Sequence, residues 1–366
     1  MTNMRQEDGT IDAGGHPVVI GAGALGALNK RIGHLDPSAC FILGDENTLH
    51  HCLPELLAMV PRLRDAETIG VPAGEASKSL PVCSDIWQHL TTRAADRSSM
   101  LVCLGGGVVT DLGGFIAATY KRGIRCIHVP TTVMGMVDAA IGGKTGIDVG
   151  GVKNMVGVFH DPVSVHVHVP FLRSLGKREL LNGVAEMIKH GLVRDADHYH
   201  ALREAPLHDL DALIPLVERS AALKADVVRE DPREAGPRKQ LNFGHTIGHG
   251  IEAYSWEGGR SALLHGEAVA VGMICEAWLS WRKDLLDRES NDLIAQHLLS
   301  MFKPFRIQGG EDHRIIELMR NDKKNNAGQF RFALLTGIGS VKVDVPITAA
   351  QVQEALEHYR LLVREP

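Results

Sequence analysis

The sequence lacks the features that mark membrane proteins, disulfide-rich proteins and nucleic-acid-binding proteins. No apolar run reaches the roughly 18–20 residues that a membrane-spanning helix needs, and the opening residues, MTNMRQEDGT, contain no apolar core of a signal peptide. The six cysteines are scattered without C-x-x-C spacing, so they predict buried thiols and not a disulfide framework. The net charge of −5 provides no basic field for nucleic acid. We therefore expect a cytoplasmic protein that binds neither membranes nor nucleic acids.

The features that are present are typical of a two-domain α/β enzyme. The length of 366 residues exceeds what one hydrophobic core usually holds, roughly 250–300 residues. Up to about residue 168, short apolar runs alternate with longer amphipathic segments, of which 76–96 is one example. The predicted strands are HPVVIG, CFILGD, AETIGV, MLVCLGG, RCIHVP and VSVHVHV. Strands joined by helical crossovers predict a mainly parallel sheet.

From about residue 171 onward the strand signals nearly disappear, except for one late stretch at 330–336. The predicted helices of this part are 177–192, 208–230, 240–256, 266–282 and 286–302. We therefore predict an α/β domain over residues 1–170 and a mainly α-helical domain over residues 171–366. The sequence contains no internal repeat and no low-complexity tract.

The strongest candidate site lies in the second predicted domain. His245 and His249 stand four residues apart without an intervening proline, so a helix would project both from one face. His265 opens the next predicted helix. Imidazoles that converge from two helices favour zinc or cobalt, and a third, anionic ligand is usual at catalytic sites. Because Arg238 and Asn242 are spaced by one turn, we expect them on the same helical face; the alternative is a helix with ordinary surface histidines.

Other charged residues of the second domain fit such a site. The first predicted helix there carries Glu186 and Lys189 three positions apart, and a carboxylate would add the charge that two imidazoles lack. The alternative is a surface ion pair, which contributes little to stability. Further cations in this domain are Lys224 and the adjacent pair Lys323 and Lys324. None of these lysines alone would indicate a site.

Two glycine-rich turns follow predicted strands. Gly21, Gly23 and Gly26 have G-x-G-x-x-G spacing, and Asp45 ends the next strand about twenty residues on, as in dinucleotide-binding folds. The pattern is short in a glycine-rich chain, so it is weak evidence for pyrophosphate binding. Asp45 and its neighbour Asn47 are better candidates, as ribose contacts, although helix capping explains them equally well.

The second turn is the stronger phosphate candidate. Gly105, Gly106 and Gly107 come directly after a strand, and Asp111 lies in the helix that follows. Consecutive glycines leave backbone N–H groups accessible to a phosphate at a helix N-terminus, where the helix dipole also favours an anion. A tight turn explains one glycine more easily than three.

A third group of polar residues follows the next strand. It comprises Thr131, Thr132, Asp138, Lys144, Lys153 and Asn154. No P-loop spacing occurs here, so the stretch does not suggest ATP hydrolysis. Two lysines in glycine-rich loops predict the capture of an oxyanion, and the alternative is that these lysines are simply solvated.

Taken together, these motifs resemble the 3-dehydroquinate synthase family of the sugar phosphate cyclases. In family order from about residue 40 to 340, they are GGGVVTDLGGF, YKRGI, VPTTVMGMVDAAIGGKTGIDVGGVKNMVG, GVAEMIKHGLV, R-x-x-x-N-x-x-H-x-x-x-H, LHGEAVA and DKKN. Several long motifs in order are far more specific than any one alone. The resemblance implies an N-terminal NAD-binding domain and a C-terminal α-helical domain for metal and substrate.

The resemblance also implies roles for individual residues. The implied ligands of one divalent metal ion, zinc or cobalt, are Glu186, His245 and His265. His249, which spacing alone would make a ligand, is implied to face the substrate. The implied catalytic residues are Lys144, Lys189, Asn242 and His249. The implied substrate contacts are Arg122, Asp138, Asn154, Lys224, Arg238 and either Lys323 or Lys324. The implied NAD contacts are Asp45, Asn47, Glu75, Lys78, Gly106, Gly107, Asp111, Thr131, Thr132 and Lys153.

The implied activity is the NAD- and metal-dependent conversion of 3-deoxy-D-arabino-heptulosonate 7-phosphate into 3-dehydroquinate and phosphate. Arg122 matches a residue that reaches the phosphate from a neighbouring subunit, so a homodimer is expected. Departures from the family include Ala139-Ala140, where many members carry serines, and a long loop at 255–263. The alternatives are a cyclase for a seven-carbon sugar phosphate without a carboxylate, a metal-dependent polyol dehydrogenase, and a non-catalytic relative.

Overall fold

The computed structural model describes residues 9–150, 152–257, 262–320 and 329–364. The strands are β1 (Thr10–Asp12), β2 (Pro17–Ile20), β3 (Cys40–Asp45), β4 (Glu67–Val71), β5 (Met100–Gly105), β6 (Arg125–Pro130), β7 (Lys144–Val149), β8 (Val152–Phe159), β9 (Ser164–Val167), β10 (Phe330–Gly337) and β11 (Ser340–Ile347). The helices are α1 (Ala24–Leu35), α2 (Glu46–His51), α3 (Leu53–Met59), α4 (Leu80–Thr92), α5 (Gly107–Thr119), α6 (Lys177–Arg194), α7 (Ala196–Glu204), α8 (Leu210–Glu230), α9 (His245–Ser255), α10 (His265–Arg282), α11 (Arg288–Met301), α12 (Asp312–Arg320) and α13 (Ala349–Leu362).

The α/β part is organised by a seven-stranded sheet in the order β1-β2-β9-β6-β5-β3-β4. Only β1 runs antiparallel to its neighbour, so the predicted mainly parallel sheet is confirmed. All six predicted strands occur in it. Strand β5 is buried along its whole length. Helices α4 and α5 cover one of its faces, where Ile86 and Ile116 belong to the same core cluster as Leu101 and Cys103. Continuous apolar runs are what a sheet covered by helices requires.

A hairpin in this part was not predicted. Residues 144–149 and 152–159 form an antiparallel hairpin, in which Lys144 pairs with Phe159. The two lysines predicted to lie in glycine-rich loops, Lys144 and Lys153, therefore lie on strands. The prediction was wrong because glycines in this stretch serve close strand approach: a Cβ on Gly157 would lie 2.1 Å from the carbonyl oxygen of Thr145.

Four of the five helices predicted for the second part are present, and the fifth needs a correction. Helices α6, α8, α10 and α11 match predicted segments. The segment predicted as one helix over 240–256 is divided instead: residues Pro237–Asn242 form a 3₁₀ turn, and α9 begins only at His245. Gly244 separates them with a φ of +78°, a left-handed conformation that an α-helix cannot contain. Arg238 and Asn242 are therefore not on the helical face that carries the histidines.

The contacts divide the chain into two compact units. One comprises residues 1–176 and 208–233, and the other comprises residues 177–207 and 234–366. The predicted single boundary at residue 170 is close to the first crossing, but α8 belongs to the first unit and not to the second. It is grouped there because it packs against β1, residues 135–139 and residues 169–174.

The described residues contain neither a helix that could cross a membrane nor a disulfide. No helix in the described ranges is both long and apolar enough to cross a bilayer. None of the six cysteines, all of which lie in those ranges, forms a disulfide; five are buried and Cys40 is half-buried. The buried thiols agree with the expectation from sequence.

Candidate functional site

The second unit contains a fully buried carboxylate on α6. Glu186 is 0% exposed, and the ammonium of Lys189, one turn later, donates a hydrogen bond to its Oε2 atom. Burial alone would raise the pKa of Glu186, but Lys189 and the neighbouring imidazoles hold that pKa well below its ordinary value. Glu186 is therefore ionised in the interior. Its other oxygen, Oε1, accepts no hydrogen bond from any described residue.

His245 and His265 each direct their Nε2 atom at Glu186 Oε1. The Nε2 atoms of His245 and His265 lie 3.4 Å and 3.7 Å from Glu186 Oε1. On the other side of each ring, His245 Nδ1 is 3.2 Å from the carbonyl oxygen of Phe243, and His265 Nδ1 is 3.2 Å from the Glu252 carboxylate. Such partners place the proton on Nδ1 and leave the Nε2 lone pair available to a metal.

This arrangement fits a divalent metal ion. In a neutral His245 ring, the Nε2 lone pair faces a carboxylate lone pair at 3.4 Å, which is unfavourable without a cation between them. A tetrahedral centre with bonds of ~2.1 Å separates its ligand atoms by about 3.4 Å. His249 lies next to the two ligand candidates: one ligand atom from each of His245, His249 and His265 lies within 4.8 Å of the others. The structure thus brings all three histidines together.

The pKa values of the two ligand candidates shift in opposite directions. Burial lowers the pKa of His245 well below its ordinary value, which keeps the ring neutral and able to coordinate. Burial acts in the same direction on His265, but the carboxylates of Glu252 and Glu186 outweigh it and raise the pKa of His265 to about 10. A metal must therefore displace a proton from this second ring.

Two further predicted residues of this unit lie in the 3₁₀ turn before α9. Arg238 is buried at 2% exposure, and the amide of Asn242 donates a 2.8 Å hydrogen bond to Glu234. Glu234 was not predicted as a site residue; its φ of +57° is uncommon for a residue other than glycine. Glu252 was not predicted either, although its position seven residues after His245, two helical turns, places both residues on one face. The predicted Lys323 and Lys324 lie outside the described residues.

In the first unit, the predicted NAD residues gather at the carboxyl ends of adjacent strands β3, β5 and β6. Asp45 ends β3 and caps α2 by accepting a 2.9 Å hydrogen bond from the Thr48 amide, so the capping alternative holds for it; Asn47 is exposed in the same helix. Gly106 caps α5, and a Cβ there would lie 2.9 Å from the Thr132 side chain. The hydroxyl of Thr131 is buried and has no hydrogen-bond partner among the described residues.

The first glycine motif lies elsewhere in the sheet. Gly21 follows β2, which is separated from β6 by β9 and from β5 by two strands. Nucleotides bind parallel sheets at the carboxyl ends of neighbouring strands. The loop at Gly21 is therefore distant, in strand order, from the strand ends that carry the predicted NAD residues.

A buried lysine joins predicted NAD and substrate residues. Lys78 is 3% exposed, and its Nζ atom donates to Asp111 at 2.8 Å and to Asn154 at 2.6 Å. Glu75 lies 3.4 Å from the same nitrogen and 4.0 Å from that of Lys153. Burial works against the charged form, yet the Asp111 and Glu75 carboxylates raise the pKa of Lys78 above its ordinary value. Five predicted residues thus form one polar cluster.

Another predicted pair connects residues 86 positions apart. Lys224 on α8 donates a 2.5 Å hydrogen bond to Asp138, and both are predicted substrate contacts. Lys144, at the start of β7, is exposed.

Arg122 lies in the short turn Tyr120–Arg122 that follows α5. It is exposed, and among the described residues no carboxylate forms an ion pair with it. Its φ of +67° and that of Lys121, +49°, hold the turn in a conformation that non-glycine residues rarely adopt.

Comparison with known proteins covers nearly the whole chain. The family profile described as 3-dehydroquinate synthase N-terminal matches residues 68–182, and the profile described as 3-dehydroquinate synthase C-terminal matches residues 183–325. The chain is 40% identical over 348 residues to a 3-dehydroquinate synthase from Parabacteroides distasonis, covering 94% of this chain and 97% of that protein.

The fold is also similar to solved structures of low sequence identity. A 2-deoxy-scyllo-inosose synthase complexed with carbaglucose-6-phosphate, NAD+ and Co2+ superposes with a TM-score of 0.82 at 22% identity, over 95% of this chain and 99% of that one. The 2-epi-5-epi-valiolone synthase of Streptomyces hygroscopicus, with NAD+ and Zn2+ bound, gives a TM-score of 0.82 at 24% identity over 99% of both chains. At these identities the comparison establishes the fold.

Proposed function

Because this chain belongs to the 3-dehydroquinate synthase family, we propose that it catalyses the conversion of 3-deoxy-D-arabino-heptulosonate 7-phosphate into 3-dehydroquinate and phosphate. This reaction is a carbon–oxygen lyase step of the shikimate pathway, which supplies aromatic amino acids. The proposed cofactors are NAD and one divalent metal ion, zinc or cobalt. The solved relatives that hold NAD+ with Co2+ or Zn2+ support this choice of cofactors.

The convergence of His245 and His265 on the ionised Glu186 is the observation that carries the proposal. We propose these three residues as the metal ligands, with one carboxylate and two Nε2 atoms. A metal bound there supplies Lewis acidity that polarises a C–O group of the substrate. Lys189, which holds the second Glu186 oxygen, keeps the carboxylate ionised and oriented. His249 is proposed as the group that exchanges protons with the substrate.

The polar cluster of the first unit is proposed to bind NAD. NAD supplies a hydride acceptor that is regenerated within the same turnover. The N-terminus of α5 at Gly106 and Gly107 is suited to the pyrophosphate because its backbone amides and helix dipole attract an anion. Lys78 orients Asp111 and Asn154 through direct hydrogen bonds, so it connects the proposed cofactor and substrate contacts.

The remaining cations are proposed to hold an anionic substrate. Lys144, Lys224 and Arg238 suit a molecule that carries both a carboxylate and a phosphate, and the guanidinium can form paired hydrogen bonds with either group. The hydrogen bond from Lys224 to Asp138 keeps that ammonium in place before substrate arrives. A dehydrogenase would have little use for this set of cations.

We also propose that the enzyme is a homodimer in which Arg122 completes the site of the partner subunit. Arg122 is exposed and forms no ion pair with a described carboxylate. The hairpin of β7 and β8 exposes several large apolar side chains that a partner would cover. They are Val149, Met155, Val156, Val158 and Phe159, each at least 40% exposed. The unpaired thiols support the proposed location in the reducing cytoplasm.

The reaction balance tests the proposal. The purified enzyme, a divalent metal and NAD far below the substrate concentration are mixed with 3-deoxy-D-arabino-heptulosonate 7-phosphate. We expect one inorganic phosphate released for each substrate consumed and no net NADH, because a cyclase returns the hydride. Stoichiometric NADH without phosphate release would overturn the proposal in favour of a polyol dehydrogenase. Turnover of only a seven-carbon sugar phosphate without a carboxylate would indicate the other cyclase activity.

A further inference from the structure

A buried carboxylate from α10 caps the helix that carries two of the histidines. Glu276 is 0% exposed; its Oε2 atom accepts a 2.7 Å hydrogen bond from the Gly244 amide, and its Oε1 atom accepts one of 3.0 Å from the Ile247 amide. The first amides of a helix have no partners within the helix, and the dipole makes this end attractive to an anion. Gly244, at the N-cap position, has no side chain that could do this itself.

Glycines bring the two helices into direct backbone contact next to this cap. A Cβ on Gly272 of α10 would lie 1.9 Å from the carbonyl oxygen of Gly244, and one on Gly248 would lie 3.2 Å from the carbonyl oxygen of Ala268. Since Glu276 follows Gly272 by one helical turn, its carboxylate lies at the end of the same contact face. The position of α9 against α10 is therefore set by close packing and by two hydrogen bonds to one side chain.

The same two helices carry ligands of the proposed metal centre. His245 is the first residue of α9, directly after Gly244, and His265 is the first residue of α10. His265 and Glu276 are eleven residues apart, about three turns, so they project from the same face of α10. At the other end of the contact between the helices, the Glu252 carboxylate of α9 lies 3.2 Å from His265 Nδ1. A carboxylate at each end thus holds the two helices in register, Glu276 at one and Glu252 at the other.

We propose that Glu276 is a positioning residue for the metal centre: its carboxylate caps α9 from α10 and so sets the distance between the Nε2 atoms of His245 and His265. The inference rests on the proposed function, because it takes these histidines as metal ligands. The sequence places no charge at the start of α9 itself, so the alignment of His245 depends on a group supplied by the helix that begins with the other histidine ligand.

A cap that served stability alone would behave differently. It would lower the melting temperature when removed, but the folded protein would bind metal as before. A positioning role predicts a change in the ligand geometry of the folded protein. Residues that orient metal ligands typically alter metal affinity by about 10- to 100-fold when they are replaced.

The experiment uses the full chain, freed of metal, as wild type, Glu276→Ala and Glu276→Gln. Each is titrated with Co2+ while its visible absorption is recorded, and with Zn2+ against a competing chelator. We expect the metal Kd of Glu276→Ala to rise by about 10- to 100-fold with a shifted Co2+ absorption band. Glu276→Gln, which keeps one carbonyl oxygen for an amide of α9, should lie between that variant and wild type.

Asp195→Ala is the matched control. It removes the side-chain cap of α7, in which Asp195 accepts a 3.1 Å hydrogen bond from the His198 amide. This variant should lose stability while its metal Kd and Co2+ spectrum stay at wild-type values. A wild-type Kd and spectrum in Glu276→Ala, with only a lower melting temperature, would overturn the inference. If the alanine variant does not fold, the same result for Glu276→Gln overturns it.

Failure of this inference is distinguishable from failure of the proposed function. If wild type binds no metal, or if Glu186→Gln and His265→Ala retain full affinity, the proposed metal centre itself is wrong. If those two variants lose metal while both Glu276 variants bind it normally, the centre stands and only the role of Glu276 is withdrawn.

Discussion

The Oε1 atom of Glu186 lies 3.4 Å from the Nε2 atom of His245, deep in the second unit, and accepts no hydrogen bond from any described residue. The carboxylate is ionised, and the imidazole proton is directed at the carbonyl oxygen of Phe243. An anion and a lone pair directed at each other in a buried site need a cation between them. This relationship motivates the first prediction.

His245→Ala should lose the metal, whereas His249→Ala should keep it and lose activity. The first change removes a proposed ligand, and the second removes a group proposed to exchange protons with the substrate. Metal content per chain, measured by elemental analysis after gel filtration, distinguishes the two variants. In wild type, chelation should abolish turnover, and zinc or cobalt should restore it. Metal loss in His249→Ala with retention in His245→Ala would reverse the assignment.

Arg122→Ala and Lys224→Ala should each be inactive alone and partly active together. If Arg122 acts in the partner's site, a mixed dimer contains one complete site. Equal mixing with free subunit exchange then restores about a quarter of wild-type activity. Phosphate release is the assay, and exchange is followed with differently tagged chains. No recovery despite proven exchange would mean that each site is built from a single chain.

Gly272→Ala should separate α9 from α10. The added methyl group would lie 1.9 Å from the carbonyl oxygen of Gly244, so the helices must move apart. We expect a loss of about 1–3 kcal/mol in the free energy of unfolding, together with weaker metal binding. Gly309→Ala is the control, because no atom lies within 4 Å of a Cβ at that position. Equal stability of the two variants would contradict the close packing described above.

The protein should lose stability below neutral pH because of His166, a buried histidine of the first unit. Burial lowers the pKa of His166 to about 4, where its ring contacts Ser164 and the carbonyl oxygen of Ala24. The unfolded chain takes up this proton near pH 6.5, so the stabilisation is complete above that pH and is lost as the pH falls toward 4. Between pH 7 and pH 5 the loss is about 2 kcal/mol.

Urea unfolding of wild type and His166→Gln at pH 7 and pH 5 tests this effect. The variant lacks the titrating ring, so its stability should depend less on pH over this interval. An equal pH dependence in both proteins would assign the acid sensitivity to other groups.

Much of the fold follows from local sequence. Six of the seven strands of the sheet lie in short, mainly apolar runs, and the helices between them carry their own periodicity, so both could be predicted without tertiary information. The spacing of His245 and His249 likewise predicts one face of a helix, and α9 has that form. These features depend on residues only a few positions apart.

The predictions failed where distant residues determine the outcome. Periodicity predicts that the helix begins at residue 240. It begins instead at His245, because the preceding Gly244 is left-handed and its amide donates a hydrogen bond to Glu276, 32 residues away. The hairpin of β7 and β8 and the hydrogen bond of Lys224 with Asp138 also depend on partners that no local pattern specifies.

The sequence alone was sufficient for the chemical groups of the site and for the family, because residue types and their order carry that information. The folded chain was needed to show that Glu186 is buried and ionised, and that His245 and His265 direct their Nε2 atoms at its Oε1 atom. Burial, tautomer and the distance between helices arise from packing among segments far apart in the chain, so they exist only once those segments meet.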